Sequence, residues 1–509
     1  MSKYILNYGP NYKTQDSNYE KDFVGLLDKK NIWISNALLP EKRLGWIDTP
    51  NTYNRYLKLC KTTFNKIVSR NPSSIVFIGM GGSIQTGKVL DQIFSKNNYK
   101  LLFLDSTNPQ EVNFIKEKIQ IHDTFFVFMS KSGSTLETNN IMNFFIKCFN
   151  IEGESNFGKN FIAITDKNTP LEKFAITNSF EDIIITPEDV GGRFSSSTPF
   201  GLFPKLFMDS YAHANEIFDL KGVYDKSSLL TKFLIHIAQK NNILEIIVPK
   251  ELDQMGTWIE QLIAETSGKD GKGIIPIIRN INNNSDSSYI EILTTETENN
   301  LNSKNVYLNI EFDKNTIFED MYIWQIAVSI LCKHVFVFPF DEPDVKKSKS
   351  NTEAILNGKT NIKDLKIPYS KVPIKKMINT NKSKQILYIN MYLTESENIK
   401  KSLDNFLDFL SLSNNFKIVY GFGPRYLHST GQIQKGGSKN SWFMYFYDNN
   451  LFDSNDEDEI YSELNDTFKS QLLGDYNAIK DSGRDAYLLG INSNKSNPFD
   501  EIMDELKEE

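Results

Sequence analysis

The chain has 509 residues, more than one hydrophobic core can serve, and at about 150 residues per domain it divides into about three. A hydrophobic fraction of 40% against 24% charged is that of an ordinary soluble globular protein. A net charge of -7 and a pI near 5.6 supply no basic footprint for nucleic acid or an anionic membrane, so an anionic ligand must be held by local donors.

Cys60, Cys148 and Cys332 are odd in number and far apart, which fits a reducing compartment and argues against a disulfide framework or a structural zinc site. No stretch reaches the roughly 18 apolar residues of a membrane span, and the first residues show no basic segment followed by an apolar run. A cytoplasmic location is expected.

Residues 75–79 form an apolar, β-rich run ending in glycine, followed by a helical stretch over 86–94. Further strands are predicted at 100–105, 124–129, 160–165 and 182–185, with helical patterns between them. This alternation predicts a parallel sheet with helices on both faces over roughly 50–215. A second unit has strands at 242–248, 289–293 and 306–312, and helices at 258–265 and 321–333, the last leading into the apolar run 334–338. Residues 346–384 are polar and read as a connection with little core. Strands at 385–393, 417–419, 442–447 and 485–491 then form a small third α/β unit, and the acidic end, 500–509, reads as a solvated helix or tail. The expected fold class is α/β, with mainly parallel sheets.

Five segments can carry chemistry. IGMGGS (78–83) follows a strand and precedes a helix, where glycines let backbone approach an anion; a plain tight turn is the alternative. SKSGSTLET (130–138) gathers the hydroxyls of Ser130, Ser132, Ser134 and Thr135 into a neutral donor cluster suited to a phosphate monoester. Its alternative is a capping box, Ser134-x-x-Glu137. DVGGRFS (189–195) presents Arg193 beside Gly191 and Gly192, and a surface arginine in a glycine turn would look the same. WIEQLIAETSGK (258–269) puts Glu265 in the last turn of a helix, where the dipole would raise its proton affinity and suit a general base; Glu260 and Glu265 could equally be exposed helix charges. His428, in GPRYLHSTGQ (423–432), has glycines and hydroxyls around it, unlike His122, His213, His236 and His334. It and Lys349 complete the set, although a lone histidine is more often structural.

Together these segments resemble the phosphoglucose isomerase family, built of two sugar isomerase (SIS) domains. SKSGSTLET is similar to the family's SKTFTTQET, VGGRFS matches its arginine segment, and EQLIAETSGK is similar to the segment ending in E-S-N-G-K. FDEPDVKKSK (340–349) resembles F-D-Q-x-G-V-E-x-x-K, with Glu342 in place of Gln and Lys346 in place of Glu. RLGWI (43–47) and GPRYLHSTGQ are most similar to the isomerase portions of bacterial bifunctional transaldolase/phosphoglucose isomerases.

The resemblance covers about 43–440 and implies an N-terminal segment (1–49), a first SIS domain with the phosphate loops (50–225), and a second SIS domain with the base (226–350). A linker and C-terminal α/β unit carrying His428 follow (351–509). By position, Glu265 would be the base, Arg193 would stabilise the cis-enediol(ate), His428 would open the sugar ring, and Lys349 would lie near the ring or phosphate. Gly82, Ser83, Ser130, Ser132, Ser134, Thr135, Gly192 and Gln261 would bind substrate. The implied activity is interconversion of glucose 6-phosphate and fructose 6-phosphate, with no metal or cofactor, no nucleic-acid or membrane partner, and a homodimer by analogy. The rivals are an isomerase using mannose 6-phosphate and a non-catalytic SIS sensor of a sugar phosphate, which would keep the loops and could lose the base. A scaffolding protein would leave the hydroxyl cluster unexplained.

Overall fold

The computed structural model describes residues 1–7, 19–33, 40–94, 99–208, 218–279, 288–293, 306–358, 370, 372–453 and 459–507. His213 lies outside them. Among the described residues no helix is long and apolar enough to cross a membrane, and the three cysteines are buried thiols.

β1 (Lys3–Asn7) belongs to a sheet completed much later in the chain. β2 (Ser74–Gly79), β3 (Lys100–Leu104), β4 (Thr124–Met129), β5 (Phe161–Thr165) and β6 (Asp182–Ile185) make a fully parallel sheet in the order β3-β2-β4-β5-β6. Ile75 and Phe77 enter the core on one face while Val76 and Ile78 enter a second core on the other. A strand buried on both faces reads as a continuous apolar run, and a one-residue slip would exchange its two faces, so register is fixed by burial. β3 lies on one side of β2 and β4 on the other. The winding reverses there, and a crevice opens at the carboxyl ends of β2 and β4.

The second sheet contains β7 (Ile243–Ile247), β8 (Ile275–Arg279), β9 (Tyr289–Leu293) and β10 (Tyr307–Glu311) in the order β1-β10-β9-β7-β8, parallel except for β1. The third, β11 (Ile386–Tyr392), β12 (Lys417–Phe422), β13 (Ser441–Asp448) and β14 (Ala486–Ile491), is parallel in the order β12-β11-β13-β14. All three sheets place their second parallel strand on one side of the first and the remaining ones on the other. Side chains of the first two sheets share one core, and the opposite face of the second sheet (Ile243, Ile275, Ile277) packs with Tyr388, Phe443 and Tyr445 of the third. The fold class is therefore as expected: two larger α/β units with mainly parallel sheets and a smaller C-terminal one.

Several expectations need correction. β8 contains Pro276, which argues against a central strand, and it lies at a sheet edge. The polar stretch 346–384 is not all connection, because Val345–Leu356 is a helix packed on the helix Ser462–Asp481. Its buried side chains are Val345, Ser348 and Thr352, and a Cβ on Gly474 would meet Thr352 Oγ1 at 2.4 Å. Two helices that touch through small and hydroxyl residues leave no apolar stripe to read. The run 335–338 forms no strand, and the acidic helix Asp500–Lys507 buries Ile502 and Met503. Helices Leu220–Lys240 and Val345–Leu356 run across residues 225 and 350, so a boundary at either position would cut a helix.

Asp475 is the polar anchor of the third unit. Its carboxylate lies 2.6 Å from Lys435 Nζ and accepts hydrogen bonds from Ser348 Oγ (2.8 Å), Tyr426 (2.8 Å) and Tyr445 (2.7 Å), all in the interior. Burial opposes its charge, but Lys435 and these donors hold its proton affinity below the usual carboxylate range. Asp475→Ala would leave Lys435 buried without its partner. We expect a loss of about 3–5 kcal/mol, read from the urea unfolding midpoint; a loss below about 1 kcal/mol would contradict this assignment.

Candidate active site

The loops after β2 and β4 open into a cavity of about 530 Å³. Gly81 takes a left-handed backbone (φ 53°), and a Cβ there would lie 2.9 Å from both Gln261 Nε2 and the His428 carbonyl oxygen. A Cβ on Gly82 would lie 2.2 Å from the carbonyl oxygen of Gly192. This glycine loop is thus more than a turn: it is where segments from all three sheets' units approach one another. Gly82, Ser83, Ser132, Ser134, Thr135, Gly192, Arg193, Gln261, Glu265, Lys349 and His428 all line the cavity.

Ser130 does not. It is buried, and its hydroxyl bonds that of Thr135 (2.8 Å), so it holds a lining residue in place. Ser134 donates to Ser132 Oγ (3.1 Å), and no side-chain capping bond forms at the head of the helix Leu136–Ile151, which removes the capping-box alternative.

Arg193 follows the glycine pair and is buried. Trp46 of the RLGWI segment stacks on Phe194, and Gly45 N–H bonds the Asp189 carbonyl (3.0 Å), so that segment braces the arginine loop. Arg193 Nη2 donates to the carbonyls of Pro339 and Asp341, both at 2.9 Å. Its Nη1 lies 3.0 Å from Glu265 Oε1 and 2.9 Å from Glu342 Oε2.

Glu265 is in the last turn of the helix Asp253–Ser267, as expected, and also accepts from Gln261 Nε2 (3.2 Å). Burial is the main cause that lifts its carboxyl above the ordinary range; Arg193 opposes this and Glu342 adds to it. Glu260 is buried too, pushed up to about 8 by desolvation, but it does not line the cavity. Neither glutamate is an exposed helix charge. Glu342 turns to Arg193, whose charge, with that of Lys349, outweighs burial and holds it below the usual range. Lys346 is exposed and outside the cavity.

His428 comes from the third unit and reaches the same cavity in the same chain. Its Nε2 lies 2.9 Å from Glu137 Oε1, which also accepts from Gln471 Nε2 (2.7 Å). Burial opposes the Glu137 charge, yet His428 holds its proton affinity below the usual value. Sequence reading missed Glu137 in this role because its spacing from Ser134 already had a capping explanation. It also missed two lining cations, Arg43 and Lys131. Lys131 pairs with Asp166 and donates to the Pro187 carbonyl (3.0 Å); burial pushes its proton affinity down and Asp166 opposes that. Both sit inside motifs already marked, RLGWI and SKSGST.

A family model described as Phosphoglucose isomerase matches residues 61–233, the segment with the loops and Arg193. The chain resembles that family over about a third of its length. It is 30% identical over 256 residues to a glucose-6-phosphate isomerase of Mycoplasma mycoides subsp. mycoides SC, covering 46% of this chain and 58% of that one. It is 29% identical over 216 residues to one of Methanocaldococcus jannaschii, covering 40% and 53%. The matched region thus spans only a little over half the length of these curated relatives. A crystal structure of a glucose-6-phosphate isomerase from Chlamydia trachomatis D/UW-3/Cx superposes with a TM-score of 0.52 at 13% identity, over 66% of this chain and 83% of that one, a likeness of fold.

The contact between the two glycine loops is open to measurement. Gly82→Ala should cost about 1–3 kcal/mol in denaturant unfolding, because its Cβ has backbone to displace. Gly191→Ala, whose nearest neighbour would be 3.9 Å away, should cost far less. Equal costs would contradict the close approach.

Proposed function

We propose that the chain is a glucose-6-phosphate isomerase, interconverting glucose 6-phosphate and fructose 6-phosphate. The observation that carries this is the union, in one cavity, of a neutral hydroxyl loop with a largely buried carboxylate of raised proton affinity held against a buried arginine. A sensor needs only the loop.

Ser83, Ser132, Ser134 and Thr135 bind the phosphate through hydroxyls and neighbouring backbone N–H groups. Glu265, as carboxylate, takes the proton from C2 of the open aldose and returns it at C1. Arg193 faces the oxyanion of the enediolate formed between these steps. Gln261 orients Glu265. His428, fixed by Glu137, exchanges a proton with the ring oxygen to open the sugar, and Lys349 attends the ring. The hydroxyl proton on O2 passes to O1 within the enediolate, so all of this is proton transfer within one substrate, and atoms and charge balance. The small-molecule substrate and a cytoplasmic location accompany this reading. A homodimer follows from family analogy, and the geometry does not call for one, since a single chain contributes every named group.

Two experiments test the reading. Purified protein should convert fructose 6-phosphate to glucose 6-phosphate in a coupled dehydrogenase assay. Glu265→Gln should lower kcat by about 10²–10⁴-fold while substrate still binds. Binding without turnover in the wild type would favour the sensor, and an active Glu265→Gln protein would remove Glu265 as the base. In the second experiment, Glu265→Gln and His428→Ala chains are unfolded together and refolded as a mixture. No activity should return beyond that of the separate variants, because one chain supplies both groups; recovery would mean that His428 acts on a neighbouring chain.

A further inference from the structure

Where the family pattern has a neutral glutamine, this chain has Glu342, and the position is not peripheral. Its carboxylate and that of Glu265 approach the same nitrogen of Arg193, at 2.9 and 3.0 Å, while the other terminal nitrogen is committed to two carbonyls. Two ionised carboxylates have only acceptors to offer each other, so they repel where they meet at one nitrogen. One guanidinium does not neutralise two carboxylates held at the same nitrogen, so one of them takes a proton more readily than a free glutamate. The side chain of Glu265 is 15% exposed and that of Glu342 is 41% exposed, so Glu342 keeps its charge more cheaply and Glu265 is the one whose proton affinity rises.

We propose that Glu342 is a positioning residue for the isomerase reaction: it shares Arg193 Nη1 with Glu265, and its negative charge beside that carboxyl sets how readily Glu265 gives and takes its proton. This rests on the function proposed above and extends it to a residue that function does not use. Glu342 also occupies one of the two places beside Arg193 Nη1 that an oxyanion would take. Being the more exposed of the pair, it is the one that yields when the substrate's oxygen arrives.

Other charges face the pair. Lys349 acts on Glu342, and Lys269, bonded to Asp341 (2.8 Å), sits behind Arg193 with Cys332. Across the cavity stand His428 and Glu137. Lys349 lowers the proton affinity of Glu342 and Arg193 that of Glu265, so the upward push on Glu265 comes from burial and Glu342.

The test is Glu342→Gln, which keeps the size, removes the charge and restores the residue of the family pattern. Glu342→Asp, which keeps the charge, is the control. The acidic limb of kcat/KM for fructose 6-phosphate should move to lower pH by on the order of one unit in Glu342→Gln and stay near wild type in Glu342→Asp. In parallel, the side-chain carboxyl carbon of Glu265 is titrated by NMR in protein labelled with carbon-13 glutamate, with the signal assigned by its loss in Glu265→Gln. It should shift in the same direction with no substrate present. An unchanged carboxyl titration in Glu342→Gln would overturn the proposal even if activity changed. A protein that shows the shifted titration but no isomerase turnover would overturn the proposed function and leave the carboxylate pair standing.

Discussion

A guanidinium cannot be buried alone, and the pairing of Arg193 organises this molecule. The residue leaves the first sheet's unit on the loop after β6, yet its partners are the helix Asp253–Ser267 and the backbone of 339–342 in the second. Removing one member of such a buried pair costs roughly 3–5 kcal/mol, a large share of a typical domain's net stability. The two units are therefore held in the one arrangement that satisfies Arg193. That arrangement also puts Glu265 opposite the crevice at the carboxyl ends of β2 and β4. Stability and the placement of Glu265 have a common origin.

The third unit is held by different means to the same cavity. Asp475 gathers Ser348 and Tyr426, next to Lys349 and two residues before His428 respectively. Arg425 reaches Asp105 (2.6 Å) in the first unit and Glu395 (2.6 Å) in its own, and also pairs with Glu111. A histidine on a 3-10 turn would have little reason to keep one orientation. Here both flanks are anchored, and Glu137 fixes the ring.

What could be read in the sequence follows from how each element is buried. Strands such as Thr124–Met129 are apolar on both faces, so their extent is visible without any partner. β1 was invisible because its pairing partner, β10, is hundreds of residues away, and the helix Val345–Leu356 because hydroxyls and glycine make its contact. The candidate site was legible where one residue type has one strong use, as with Arg193 and Glu265. It was misread where a local explanation was already sufficient. Glu137 had its capping box and Ser130 its place in a hydroxyl cluster, and only three-dimensional contacts reassign them. Glu342 was seen as a departure from pattern, but its consequence depends on a carboxylate 77 positions earlier in the chain.

The charge around the cavity suits the hydroxyl loop to the proposed phosphate. Arg43, Lys131, Arg193 and Lys349 line it together with the carboxylates of Glu137, Asp166, Glu265, Glu342 and Glu353. A dianion entering so nearly balanced a field gains little from net charge. Lys131 is already paired with Asp166, and Arg193 with two glutamates. If phosphate took an arginine or lysine as its main partner, that cation would be lost to the rest of the site. In the proposed reaction, hydroxyls and backbone N–H groups would bind the phosphate without drawing on the cations. Arg193 would then remain for the negative charge that develops, and it is there that a preorganised donor lowers a barrier.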